Sequence, residues 1–104
     1  MEKVKAAIVG ASGYSGEELV ALLARHPQME IVALTSRQSA GQTVAEVFPR
    51  MGGSDIAGMK FVEPSAEALK KCGASVVFLA LPHGLAAEFA APLRKAGIQV
   101  VDLS

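Results

Sequence analysis

Lys5-Ala6-Ala7-Ile8-Val9-Gly10-Ala11-Ser12-Gly13-Tyr14-Ser15-Gly16 is the stretch on which the fold of this chain turns. It opens as a short apolar run stopped by glycine, as expected of a strand covered on both faces. Beyond it, Leu19, Val20, Leu22 and Leu23 recur at helical spacing, with Glu17 and Glu18 in the opening turn and Arg25-His26 closing the last before Pro27. Acidic residues near a helix start and basic ones near its end suit the helix dipole, so a helix is expected over residues 15–25. Glu30 to Thr35 reads as a second apolar, β-branched strand, which completes a parallel β-α-β unit by residue 35.

Downstream, Ser36 to Gly58 holds four glycines and one proline with weak periodicity around Val44 to Phe48, and is expected to be a loop with one helical turn. Met59 to Val62 predicts a third strand, and Ser65 to Lys71 a short helix with Pro64 near its start and Gly73 just past its end. Ser75 to Leu81 is the strongest strand signal. Leu85 to Ala96 predicts a helix stopped by Gly97, with a kink or restart where Pro92 removes a backbone donor, and Ile98 to Leu103 the last strand. Strands alternating with helices predict an α/β fold, a doubly wound parallel sheet of the Rossmann type with right-handed crossovers. The chain stops on Asp102-Leu103-Ser104, at the carboxyl end of a strand where such folds place ligand-binding residues, so it reads as one truncated domain.

Composition narrows the function classes. At 104 residues the chain has room for one core, and with 51% hydrophobic and 19% charged residues and a mean hydropathy of +0.37 much of it is expected to be buried. Ten basic and ten acidic residues balance to zero without a run of like charge, so neither nucleic acid nor an anionic membrane is the expected partner, and a small molecule is. A membrane helix needs roughly 20 consecutive apolar residues, far more than Val76 to Leu81, and the N-terminus lacks an apolar leader, so a cytoplasmic location is expected. The single cysteine, Cys72, excludes an internal disulfide, and no Cys/His cluster has zinc-site spacing, so no metal is expected.

Gly10-Ala11-Ser12-Gly13-Tyr14-Ser15-Gly16 is a G-x-x-G-x-x-G turn between strand and helix. The first glycine permits the tight turn, the second lets backbone approach a pyrophosphate, and the third lets the helix pack close to the sheet. Ser12 and Ser15 add hydroxyl donors, and the helix start offers unpaired N–H groups and partial positive charge to an anion. The strand-turn-helix context is what makes this a nucleotide site rather than a bare structural turn. An NAD site usually carries Asp or Glu about 20 residues beyond the glycines. Here Thr35-Ser36-Arg37 stands there instead. Two hydroxyls and a guanidinium suit a 2′-phosphate, so NADP(H) is the expected cofactor, the alternative being a solvated loop arginine. Ala80-Leu81-Pro82-His83-Gly84 follows the most apolar strand, and Leu81, Pro82 and His83 are expected to line the cofactor crevice; His83 reads equally as a ligand contact or as the cap of the next helix. Cys72 reads as a structural thiol at the opposite end of the sheet, His26 as a cation at a helix C-terminus, and Glu88 as a solvated helix residue.

Val9 to Leu19 with Thr35-Ser36-Arg37, Gly41, Phe48-Pro49, Leu81-Pro82-His83-Gly84 and Val101-Asp102-Leu103-Ser104 resembles the N-terminal part of the N-acetyl-gamma-glutamyl-phosphate reductases of arginine biosynthesis. The resemblance covers the whole chain; the Gly-Ala-Ser-Gly-Tyr turn together with Leu-Pro-His-Gly is shared with lysine-pathway relatives, and aspartate-semialdehyde dehydrogenase resembles it more distantly. It implies an NADPH-dependent oxidoreductase in which a cysteine thiolate attacks an acyl phosphate, expels phosphate and forms a thioester that hydride reduces to the aldehyde. In that family the cysteine and its assisting histidine lie beyond Ser104, so cofactor residues alone carry over, no catalytic ones, and the 104-residue chain is expected to be inactive by itself. The full-length enzyme is expected to be a homo-oligomer. A non-catalytic dinucleotide-sensing module and a lysine-pathway aminoadipate-phosphate reductase stay open as alternatives.

Overall fold

The first strand is buried on both faces, and that sets up the whole architecture. The computed structural model describes residues 3–11, 13–81 and 85–103, and of Tyr14 the backbone only. In β1 (Val4–Val9), Ala6 and Ile8 join a buried cluster with Val20, Leu23, Val44, Phe48 and Phe61, while Ala7 and Val9 join a second with Val77, Leu79, Leu69, Phe89 and Leu93. Successive side chains of a strand point to opposite faces, so β1 is covered on both sides from Ala6 to Val9. Helix α1 (Tyr14–Ala24) packs on the first face and helices α3 (Ala66–Lys71) and α4 (Ala86–Lys95) on the second.

With β2 (Met29–Thr35), β3 (Val76–Leu79) and β4 (Gln99–Asp102), the strands form one parallel sheet in the order β2-β1-β3-β4. The order steps outward from β1 in both directions, which opens a crevice at the carboxyl ends of β1 and β3, the switch point of such sheets. Register places Val9 beside Thr35 on one side and Leu79 on the other, after an irregularity between Ala6 and Ala7. β3 is shorter than Ser75 to Leu81, although Ser75 N–H donates to Lys5 and Ala80 N–H to Val9, both at 2.9 Å, extending the pairing by a residue at each end.

Three expectations are corrected. Met59 to Val62 is not a strand of the sheet but touches it at one bridge, Thr35 to Val62, held by Val62 N–H to Leu34 and Ser36 N–H to Val62, each 2.9 Å. Pro64 has no donor and fixed φ, so the ladder stops there, and Phe61, 1% exposed and edge-on to Phe48 at 5.8 Å, anchors the segment instead. Helix α4 runs through Pro92 without a restart: the only bond lost is to the carbonyl of Glu88 on the exposed face, while Phe89, Ala90 and Leu93 are buried. Leu22, placed by its spacing on the buried face of α1, is 57% exposed. The expected helical turn after Ser36 is α2 (Val44–Val47), started by a capping box in which Thr43 and Glu46 bond each other's backbone N–H. Glu46 is thereby held below the ordinary carboxylate range, first by the Thr43 backbone N–H, then by its hydroxyl, with a smaller pull from Lys60. A 3₁₀ turn (Pro49–Met51) follows.

Candidate functional site

The three glycines of the turn do three different things. Gly10 has φ +80°, and a Cβ on it would lie 2.7 Å from the carbonyl oxygen of Ala80 and 2.9 Å from Leu81 Cδ2, so only glycine fits beside the end of β3. A Cβ on Gly16 would lie 2.6 Å from the Ala11 oxygen and 2.7 Å from that of Gly10, so this glycine seats the first turn of α1 on the turn backbone. Gly13 differs, because among the described residues a Cβ there would meet nothing nearer than the Gly10 oxygen at 4.0 Å. Its missing side chain leaves open space at the cleft.

Gly10 and Ala11 N–H donate to the carbonyl of Thr35 at 3.1 and 2.9 Å, binding the turn to the end of β2. Gly13 is the N-cap of α1 and no side chain caps it; the Glu17 N–H bond to the Gly13 carbonyl, 2.8 Å, closes the first helical turn. The backbone donors ahead of Glu17 have no intrahelical acceptor, which gives the turn its capacity for an anion.

A cleft of about 260 Å³ opens against this turn. Of the residues expected to hold a cofactor, Gly10, Gly13, Ser36, Arg37 and Leu81 line it. Ser36 is 3% exposed and its Oγ accepts the Ser39 N–H at 3.1 Å, curling the chain so that Arg37 stands at the rim, exposed and without an ion pair among the described residues. Gly16 lies buried beneath the turn and Ser15 is exposed on α1, neither lining the cleft. Thr35 is fully buried, and its Oγ1 has no hydrogen-bond partner among the described residues. Ser12, Pro82, His83 and the side chain of Tyr14 lie outside the described residues.

Gln38, Pro64, Leu85 and Phe89 also line the cleft and were not singled out from sequence. Leu85 and Phe89 stand four residues apart at the start of α4, a spacing that puts them on one helix face, and that pattern was the available signal. Pro64 carried none, because its position depends on how the segment from Ser36 returns to the sheet. Together these residues give an apolar wall facing a backbone-donor turn and a guanidinium, an arrangement that takes a flat apolar ring at one side and an anion at the other.

The remaining chemistry-bearing residues stay outside this cleft. Cys72 caps the end of α3, near the amino end of β3, and its half-buried thiol donates to the Leu69 carbonyl at 3.0 Å. His26 follows α1, and its Nδ1 accepts the Gln28 N–H at 3.0 Å. Among the described residues no group of His, Cys, Asp and Glu is arranged to hold a metal ion, and no helix is long and apolar enough to cross a membrane.

Residues 5–104 match the model of the semialdehyde dehydrogenase NAD-binding domain. The chain is 49% identical over 104 residues to N-acetyl-gamma-glutamyl-phosphate reductase of Akkermansia muciniphila, covering all of this chain and 30% of the relative. It is 48% identical over 101 residues to the enzyme of that name from Pseudomonas savastanoi pv. phaseolicola, covering 97% of this chain and 28% of the relative. The chain thus spans about three tenths of the length of the curated relatives it matches. Among solved structures, aspartate semialdehyde dehydrogenase with NADP from Candida albicans superposes with TM-score 0.75 at 28% identity, over 97% of this chain and 29% of that one. Dihydrodipicolinate reductase from Paenisporosarcina, at 19% identity and TM-score 0.74 over 98% of this chain and 37% of that one, shares the fold. The match begins within β1 and runs through the glycine turn and every strand, and the chain belongs to the semialdehyde dehydrogenase NAD-binding domain family.

Proposed function

We propose that this chain is the NADP(H)-binding domain of an N-acetyl-gamma-glutamyl-phosphate reductase, the enzyme that reduces N-acetylglutamyl 5-phosphate to the 5-semialdehyde in arginine biosynthesis. The observation that carries the reading is the middle glycine of the turn, whose absent side chain leaves space open among the described residues, in a cleft rimmed by Arg37. In this reading the Gly10 to Gly16 turn and the start of α1 hold the pyrophosphate, Ser36 and Arg37 the 2′-phosphate, and Pro64, Leu81, Leu85 and Phe89 the flat base. Among the described residues no carboxylate lines the cleft to repel that phosphate. A cleft of about 260 Å³ sits just below the usual range for ligand pockets, so it takes the adenosine side of the dinucleotide. When bound, the nicotinamide supplies the hydride.

The nucleophile belongs elsewhere in the full-length enzyme. Cys72 is at the amino end of the sheet, whereas the cleft is at the carboxyl ends, so a thioester formed on it would be out of reach of a cofactor in the cleft. The reading extends to a cytoplasmic homo-oligomer with small-molecule partners, since a reductase drawing on free NADPH works where that cofactor is made.

The test is titration of NADPH and NADH into the chain, followed by fluorescence or chemical shifts. NADPH is expected to bind more tightly, and Arg37→Ala to narrow the gap by about 1 to 3 kcal/mol, the range of a charge-assisted contact. Equal affinity for both cofactors in the unmutated chain overturns the 2′-phosphate assignment.

A further inference from the structure

Helix α1 carries a contradiction at its start. Its N-terminus is the anion-binding end, yet Glu17 and Glu18 stand only one turn inside it. At 1.5 Å per residue their backbone lies about 5 to 6 Å from the helix start, and helical side chains lean back toward the N-terminus. Such carboxylates favour the helix itself but oppose a pyrophosphate docking at its end. One guanidinium answers both. Arg50 Nε lies 2.9 Å from Glu17 Oε2, and Arg50 Nη2 lies 3.7 Å from Glu18 Oε2.

We infer that Arg50 is a positioning residue for charge at the dinucleotide site: it neutralises Glu17 and Glu18 and so keeps the start of α1 attractive to the pyrophosphate. The inference rests on the site assignment proposed above. An ion pair whose side chains are 51% and 29% exposed adds little to stability, so holding the fold is not its main effect. Nor is a tether required. Phe48, which precedes the 3₁₀ turn, and Met51, within it, are 3% and 7% exposed and already join Val20 and Leu23 of α1 in one buried cluster. Arg25 and Asp55 line the same groove as Glu18 and Arg50 and offset one another in charge.

Two unpaired carboxylates roughly 10 Å from a doubly charged group, screened by water and salt, weaken binding by about three- to tenfold. The test is NADPH titration into the chain and its variants at low and at high salt, with melting curves to verify folding. Arg50→Gln is expected to weaken binding by that factor at low salt, with the difference closing as salt rises. Arg50→Lys should retain most of the affinity, Glu17→Gln with Glu18→Gln should bind as tightly as the parent or more so, and adding both to Arg50→Gln should restore it.

If the two glutamine substitutions weaken binding as Arg50→Gln does, the pair is a tether and the inference is overturned. The same holds if Arg50→Gln has no effect, has a salt-independent effect, or unfolds the chain. Failure of the unmutated chain to bind NADPH overturns the site assignment itself and the inference with it.

Discussion

The β-α-β unit over residues 4–35 and the segment from Ser36 to Pro64 both build the cleft, but by different physics. In the first, each residue's conformation follows from its neighbours: continuous apolar strands, a helix of period 3.6, and a glycine turn with a left-handed residue at Gly10. The second has a helix of four residues, a 3₁₀ turn and two isolated bridges, and is held by a few buried side chains, chiefly Phe48, Met51 and Phe61. Yet it supplies Ser36, Arg37, Gln38 and Pro64 to the cleft. Irregular backbone is as well placed as regular structure when a few large side chains are buried deeply enough to hold it.

Removing the anchor should separate the two regions most. Phe61→Ala takes a ring that is 1% exposed out of the core and is expected to cost about 3 to 5 kcal/mol in urea unfolding. Hydrogen exchange should show amide protection lost first at Gly41, Val44 and Val62, while β1 and β2 stay protected. Uniform loss across both regions would mean that they unfold as one unit.

The glycine turn gives a sharper contrast inside the regular half. Gly10→Ala combines a φ of +80° with a 2.7 Å approach to the Ala80 carbonyl, and is expected to cost about 2 to 4 kcal/mol of stability. Gly13→Val should leave stability within about 1 kcal/mol, because its Cβ meets open space among the described residues, and should abolish NADPH binding. Equal destabilisation by the two, read from denaturant midpoints, would show that the roles of the glycines are not divided in this way.

A smaller effect lies where the two regions join. Thr35 Oγ1 is buried without a partner among the described residues, so the nearly isosteric Thr35→Val is expected to raise stability by about 1 kcal/mol. A loss of stability would mean that the hydroxyl is satisfied in solution, and crystallographic water at that position would show how.

The smallest is electrostatic and confined to the irregular region. The capping bonds from Thr43 hold Glu46 below the ordinary carboxylate range, so the contribution of this carboxylate is complete above the unfolded value and is lost as pH falls through the lower folded one. An NMR titration should find the Glu46 midpoint below that of an unstructured glutamate, with shifts at the Thr43 amide, and Thr43→Ala, which removes the hydroxyl bond but keeps the larger backbone one, should return it only part of the way toward the ordinary value. No change on that substitution would remove the hydroxyl as a cause and leave the backbone N–H alone.

Much of this was open to reading without coordinates. The four strands of the sheet, α1, and the start of α3 at Ser65 follow from local pattern and capping chemistry, and Ser36, Arg37 and Leu81 follow from their place after strand ends. Met59 to Val62 misled because an apolar run carries the same signal whether it enters a ladder or only rests against one, and Pro64, which ends the pairing, acts after the run.

From its residues alone the chain determined where the glycine turn stands, which elements flank it and that Arg37 follows the second strand, because φ preferences and hydrophobic period act over a few residues. Tertiary structure alone decided that Pro64 and Phe89 share a wall with Gly13 and that Arg50 reaches Glu17 across 33 residues of chain. These depend on which faces are buried against each other when the sheet closes its crossovers, a property of the whole packed chain that no short window of sequence contains.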